Sequence, residues 1–140
     1  MKRNGSAVWQ GDLKTGKGRM STQSGVLTDA QYGFNTRFED GPGSNPEELI
    51  GAAHAGCFSM ALSNILTQDG SVPDEIATKA TVTLEQKDGG FAITAVHLDV
   101  DAKVPGMSDE DFQAAATKAK ENCPVSKLLN ADISMTAKLG

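Results

Sequence analysis

Apolar and polar positions alternate in short runs near both ends of this chain and recur at helical spacing in its middle. The first third is rich in Gly, Ser and Thr. Its runs Ala7 to Leu13, Gly18 to Thr22 and Gln31 to Phe38 read as strands, separated by turns at Lys14-Thr15-Gly16-Lys17 and Ser24-Gly25, an antiparallel meander. Gly41-Pro42-Gly43-Ser44 breaks the pattern. Asn45 then has the make-up of a helix N-cap, Pro46 fits the first helical position, and Glu48 completes a capping box. The helix is expected to run to about Leu66, its apolar face formed by Leu49, Ala52 or Ala53, Gly56 or Cys57, Met60 and Ile65 or Leu66.

Beyond a loop at Asp69-Gly70 and Pro73, the run Glu75 to Gln86 sets Ala80, Val82 and Leu84 against Thr and Glu. Asp88-Gly89-Gly90 makes a turn, and Phe91 to Val104 alternates again through Ile93, Ala95 or Val96, Leu98 and Val100, so the two runs predict a hairpin. Ser108 to Asp111 opens a second helix over Phe112 to Glu121. Cys123-Pro124 opens a short third one through Leu129, and Asp132 to Lys138 forms a last strand through Ile133, Met135 and Ala137. Strands, long helix, hairpin, helices and strand in that order predict an α+β fold with helices set against antiparallel sheet.

The length suits one domain, residues 1–140, able to bury a core without disulfide staples. Net charge is −5, and no Lys/Arg cluster is dense enough for a phosphate-binding patch, so nucleic acid is not an expected partner. The first residues, Met1 to Ser6, carry two basic side chains with no apolar stretch behind them, unlike a signal peptide or membrane anchor. Membrane association is therefore not expected, and a cytoplasmic location is. In that reducing compartment Cys57 and Cys123 are either inert core thiols or a working redox pair.

Cys57 lies in an apolar helical run whose thiolate burial would disfavour, so as a nucleophile it needs a cation. Arg37 is the better candidate because it stays protonated and its planar fork can meet both a sulfur anion and a carboxylate. A solvated charge at a strand end is the plainer reading. His54, one turn before Cys57, lacks a third group to orient it as a base, and a core histidine is its commoner role. Glu48 is used by the capping box, while Glu47 is free for another task; either acid also suits the helix dipole. Cys123 stands before Pro124 at a helix start, where free N–H groups favour a thiolate. His54 and His97 with the two cysteines match no zinc spacing, so neither metal nor cofactor is expected.

The runs Arg37-Phe38-Glu39-Asp40-Gly41, Asn45-Pro46-Glu47-Glu48-Leu49 and Ala52-Ala53-His54-Ala55-Gly56-Cys57-Phe58, with Asn122-Cys123-Pro124, resemble the osmotically inducible protein C (OsmC) family, relatives of the organic hydroperoxide resistance (Ohr) proteins. The resemblance covers nearly the whole chain, and His54-Ala55-Gly56-Cys57 looks more like the OsmC branch. It implies antiparallel sheets wrapped around a long central helix in an intertwined homodimer. It also implies a thiol peroxidase that reduces organic hydroperoxides, and hydrogen peroxide more weakly, in oxidative and osmotic stress defence. In that scheme Cys57 is the peroxidatic nucleophile, Cys123 the resolving thiol, Arg37 the cation that holds Cys57 as thiolate, and Glu47 the acid that orients Arg37. A lipoyl-type or thioredoxin-type dithiol would reduce the resulting disulfide. Helix position alone favours Cys123 as the more acidic thiol; the resemblance favours Cys57, and a guanidinium in contact should outweigh a partial dipole charge.

On one continuous helix Glu47 and Cys57 are roughly 15 Å apart and cannot touch. A second copy of the helix, crossing about a two-fold axis where Gly51, Ala52, Ala53, Ala55 and Gly56 permit close approach, would bring Glu47 of one subunit toward Cys57 of the other. A pocket for small hydrophobic ligands, or a disulfide sensor without peroxidase turnover, is the alternative expectation.

Overall fold

The structure, a computed structural model, describes all residues from Met1 to Gly140 and divides into two compact units, Met1–Leu49 and Ile50–Gly140. In the first unit, β1 (Gly5–Gln10), β2 (Lys17–Thr22) and β3 (Ala30–Tyr32) form an antiparallel meander in that order. The strand expected over Gln31 to Phe38 ends at Tyr32, and Phe34–Phe38 is instead a short helix, α1. Phe34 and Phe38 explain the difference: four residues apart, they meet on one helical face with ring centroids 4.9 Å from each other. At the helix start the Gly33 N–H donates to Thr36 Oγ1 at 2.9 Å, and Thr36 Oγ1 donates back to the Gly33 carbonyl. Arg37 therefore sits in the last turn of a helix rather than at a strand end.

The long helix α2 (Pro46–Gln68) starts where its cap predicts, with Asn45 Oδ1 accepting the Glu48 N–H at 2.8 Å, though Glu48 makes no reciprocal bond. It continues through the second unit. Its buried stripe is Gly51, His54, Phe58, Leu62, Ile65 and Leu66, a face rotated from the expected one, while Met60 is 76% exposed. The helix is apolar nearly all round, so periodicity could not choose the face. Shape chose it. A Cβ on Gly51 would lie 3.1 Å from the Ala80 carbonyl and 3.6 Å from Val82, so here the helix backbone approaches the sheet closely. Gly51→Leu is expected to destabilise the fold by about 1–3 kcal/mol through overpacking, read as a lower denaturant midpoint; an unchanged midpoint would mean that the contact yields freely.

In the second unit β4 (Glu75–Lys87) and β5 (Gly90–Lys103) form the expected hairpin, with a bulge between Thr83 and Leu84. β6 (Asp132–Leu139) joins β5 in parallel, departing from the antiparallel expectation. The reason is the connection: α3 (Asp109–Asn122) and α4 (Pro124–Leu128) intervene, and a helical crossover returns the chain in the same direction. The core gathers Phe58, Leu62 and Leu66 from α2, Val96, Leu98 and Val100 from β5, and Phe112, Ala116 and Ala119 from α3, with Cys123 fully buried among them. The α+β class stands, with a three-stranded sheet in each unit.

Candidate active site

In the first unit, the loop between α1 and α2 turns the chain back so that Glu47 meets Arg37. The Gly41 N–H donates to the Asn35 carbonyl at 3.0 Å, and the Ser44 N–H to the Gln31 carbonyl at 2.9 Å. Asn45 Nδ2 donates to the Thr36 carbonyl at 3.1 Å, so the N-cap residue also ties α2 to α1. Gly43 makes the reversal possible: its φ is +135°, and a Cβ there would lie 2.6 Å from the Gln31 carbonyl oxygen. Arg37 Nη2 then donates to Glu47 Oε1 at 2.8 Å, and Nε reaches both carboxylate oxygens at 3.2 and 3.3 Å. This fork-on-carboxylate contact fixes the guanidinium plane. Beside it is a cavity of about 300 Å³ lined by Trp9, Leu13, Tyr32, Phe34, Phe38 and Pro46, apolar except for Arg37.

In the second unit, the two thiols meet. Cys57, half-buried on α2, hydrogen-bonds with the thiol of Cys123, the buried N-cap residue of α4. Burial pushes the Cys57 thiol above the usual range, and contact with Cys123 raises it further. One group opposes the rise: the Val125 N–H at the start of α4 donates to Cys57. The Val125 N–H is thus one free N–H of that helix start that serves Cys57. None of the groups that shift Cys57 is a cation.

His54, three residues before Cys57, is completely buried, with Nε2 2.7 Å from Ser126 Oγ. Its Nδ1 has no partner, a buried vacancy that costs about 1–3 kcal/mol. Burial also holds its pKa below the ordinary histidine value, so the ring is neutral at physiological pH. His97 is engaged on the sheet with Ser134 Oγ at 2.6 Å, and with Thr136 and Asp99.

The expected residues thus fall into two groups, Arg37 with Glu47 and Cys57 with Cys123. Val125 and Ser126 were missed. A backbone donor leaves no side-chain signal, and Ser126 could have been found only by noting that it lies one turn after Cys123, as His54 lies one turn before Cys57.

Residues 39–138 match the family model described as OsmC-like protein. The chain is 53% identical over 137 residues to the peroxiredoxin OsmC of Escherichia coli (strain K12), covering 98% of this chain and 96% of that one. It is 34% identical over 100 residues to an organic hydroperoxide resistance protein of Xanthomonas axonopodis pv. citri, covering 71% and 68% of the two chains. The crystal structure of the organic hydroperoxide resistance protein OhrB of Bacillus subtilis has the same fold, with a TM-score of 0.70 at 24% identity and 98% of each chain covered. With the helix cap, the forked Arg37–Glu47 pair and the two facing thiols in place, the chain belongs to the OsmC family of cysteine-based peroxidases.

Proposed function

We propose that this protein, working as a single OsmC-like domain, reduces organic hydroperoxides through Cys57, with Cys123 as the resolving thiol. The observation that carries the reading is the hydrogen-bonded contact of the two thiols. The Cys57 thiolate attacks the outer peroxide oxygen, the O–O bond breaks, and the alkoxide leaves and takes a proton, giving the alcohol and Cys57 sulfenic acid. The Cys123 thiolate then attacks the sulfenic sulfur. Hydroxide departs as water, and the disulfide passes its oxidising equivalents to an external dithiol of the lipoyl or thioredoxin type.

Cys57 needs a cation to react at neutral pH, and Arg37, oriented by Glu47, is the group suited to supply it. A second copy of the chain is the proposed donor. The exposed side of α2 supports that partner: Met60 is 76% exposed, and a Cβ built on Gly56 would meet no heavy atom within 4 Å. An apolar, small-residue helix face of this kind suits a crossing with its own copy. The apolar cavity beside Arg37 would take the alkyl part of a hydroperoxide, which favours organic hydroperoxides over hydrogen peroxide. The names of the relatives, a peroxiredoxin and organic hydroperoxide resistance proteins, support the same chemistry, and a cytoplasmic role in oxidative and osmotic stress defence goes with it.

The test is a steady-state assay with tert-butyl, cumene and hydrogen peroxides, each with dihydrolipoamide or with reduced thioredoxin. Turnover is expected with at least one of the two dithiols, and faster with the two organic peroxides. Stoichiometric oxidation without turnover would favour a redox sensor, and an unoxidised protein that binds apolar ligands in the cavity would favour a binding module.

A further inference from the structure

Side-chain contacts join α2 to α4 at two levels, and they run in antiparallel register. Cys57 meets Cys123, and His54, three residues earlier on α2, meets Ser126, three residues later on the α4 side. Residues three apart share a helical face, so the polar contact lies one turn from the sulfur contact and between the same two elements. Helix α4 needs such an anchor. It is five residues long with none of them buried, and a helix of that length does not hold itself in place. Its other attachments are Cys123 and the Val125 N–H donated to Cys57, both at the reacting sulfur in the scheme above, and partial burial of Val125 and Leu129 against the core.

His54 is a costly residue for packing alone. It is wholly buried, and one ring nitrogen is left without a partner, where a leucine would fill apolar space with no such defect. We propose that His54, through its bond to Ser126, is a positioning residue for disulfide formation, holding α4 where Cys123 can reach the Cys57 sulfenic sulfur. The inference rests on the roles of Cys57 and Cys123 proposed above. A disulfide forms only within narrow Cβ and dihedral limits, so small displacements of the element carrying the resolving thiol lower the rate steeply. The neutral ring suits this task, because the bond to Ser126 persists across physiological pH.

The experiment compares wild type with Ser126→Ala, His54→Leu and His54→Gln, the last keeping a hydrogen-bonding nitrogen or oxygen near the Nε2 position. Each protein receives one equivalent of tert-butyl hydroperoxide, and peroxide loss, dimedone trapping of Cys57 sulfenic acid and disulfide formation are followed separately. Disulfide formation is expected to slow by about fivefold to tenfold in Ser126→Ala and His54→Leu, the scale of one hydrogen bond, with a matching rise in trapped sulfenic acid. His54→Gln should recover most of the rate, and the double variant should be no slower than either single one. Rescue and non-additivity would not follow from general loosening of the core. If His54→Leu does not fold, Ser126→Ala decides. Wild-type disulfide kinetics in folded Ser126→Ala, or additive losses in the double variant, overturn the positioning role alone. Failure of wild type to form the Cys57–Cys123 disulfide overturns the proposed mechanism together with it.

Discussion

Cys57→Ser is expected to abolish peroxide consumption, while Cys123→Ser consumes one equivalent and stops with Cys57 as a trappable sulfenic acid. The two thiols are in contact, but their settings differ. Cys57 is half-buried and receives the Val125 N–H, and Cys123 is fully enclosed in the core. In the proposed scheme an incoming peroxide reaches the former, and the latter is the neighbour that condenses with its product. The loss in Cys57→Ser should be at least about a thousandfold, since serine at its ordinary pKa is a far weaker nucleophile than a thiolate. Mass spectrometry after one equivalent of peroxide locates the oxygen. Sulfenic acid appearing on Cys123 in Cys57→Ser, and none on Cys57 in Cys123→Ser, would reverse the assignment.

Arg37→Ala should nearly match that loss, and the way it can be repaired is the sharper result. Burial and Cys123 already push the Cys57 pKa up within its own unit, so without a guanidinium the thiol stays protonated at neutral pH. Iodoacetamide should therefore react more slowly with Arg37→Ala than with wild type near pH 7, and the midpoint of its pH profile should move upward. If Arg37 and Glu47 serve the cysteines of the other subunit, a heterodimer of Cys57→Ser with Arg37→Ala has one complete site. Unfolding an equal mixture and refolding it should then restore about a quarter of wild-type activity, because half the dimers are mixed and half the sites in those are intact. With each site confined to one chain, no mixture can do better than its parents. Heterodimer present without recovered activity would end the shared-site proposal.

Several elements are legible in the sequence because their cause is local. Asn45-Pro46 opens α2 through its own side-chain cap, Ser108 caps α3 by accepting the Asp111 N–H, and Asp88-Gly89 turns the hairpin; neighbours in sequence decide each of these. The two cysteines and the Arg37 and Glu47 motifs were equally legible, since they are fixed spacings of particular side chains. What failed locally failed for a reason. The residues after Tyr32 alternate well enough for a strand, but the Phe34–Phe38 contact and the Thr36 cap make a helix instead. A helix apolar on every side carries no phase, and the close approach of Gly51 to the Ala80 carbonyl selected the buried face.

Sequence by itself determined the order of elements from α2 onward, the chemical groups and the family, but not the short helix α1. Tertiary structure alone decided where those groups meet. The forked contact of Arg37 with Glu47 depends on a loop folded back by Gly41, Gly43 and Ser44. The donation of the Val125 N–H to Cys57, and the bond between His54 and Ser126, join residues far apart in the chain. Local propensity depends on covalent neighbours a few positions away, whereas a pKa or a hydrogen bond across the fold depends on burial and partners that exist only once the chain has packed.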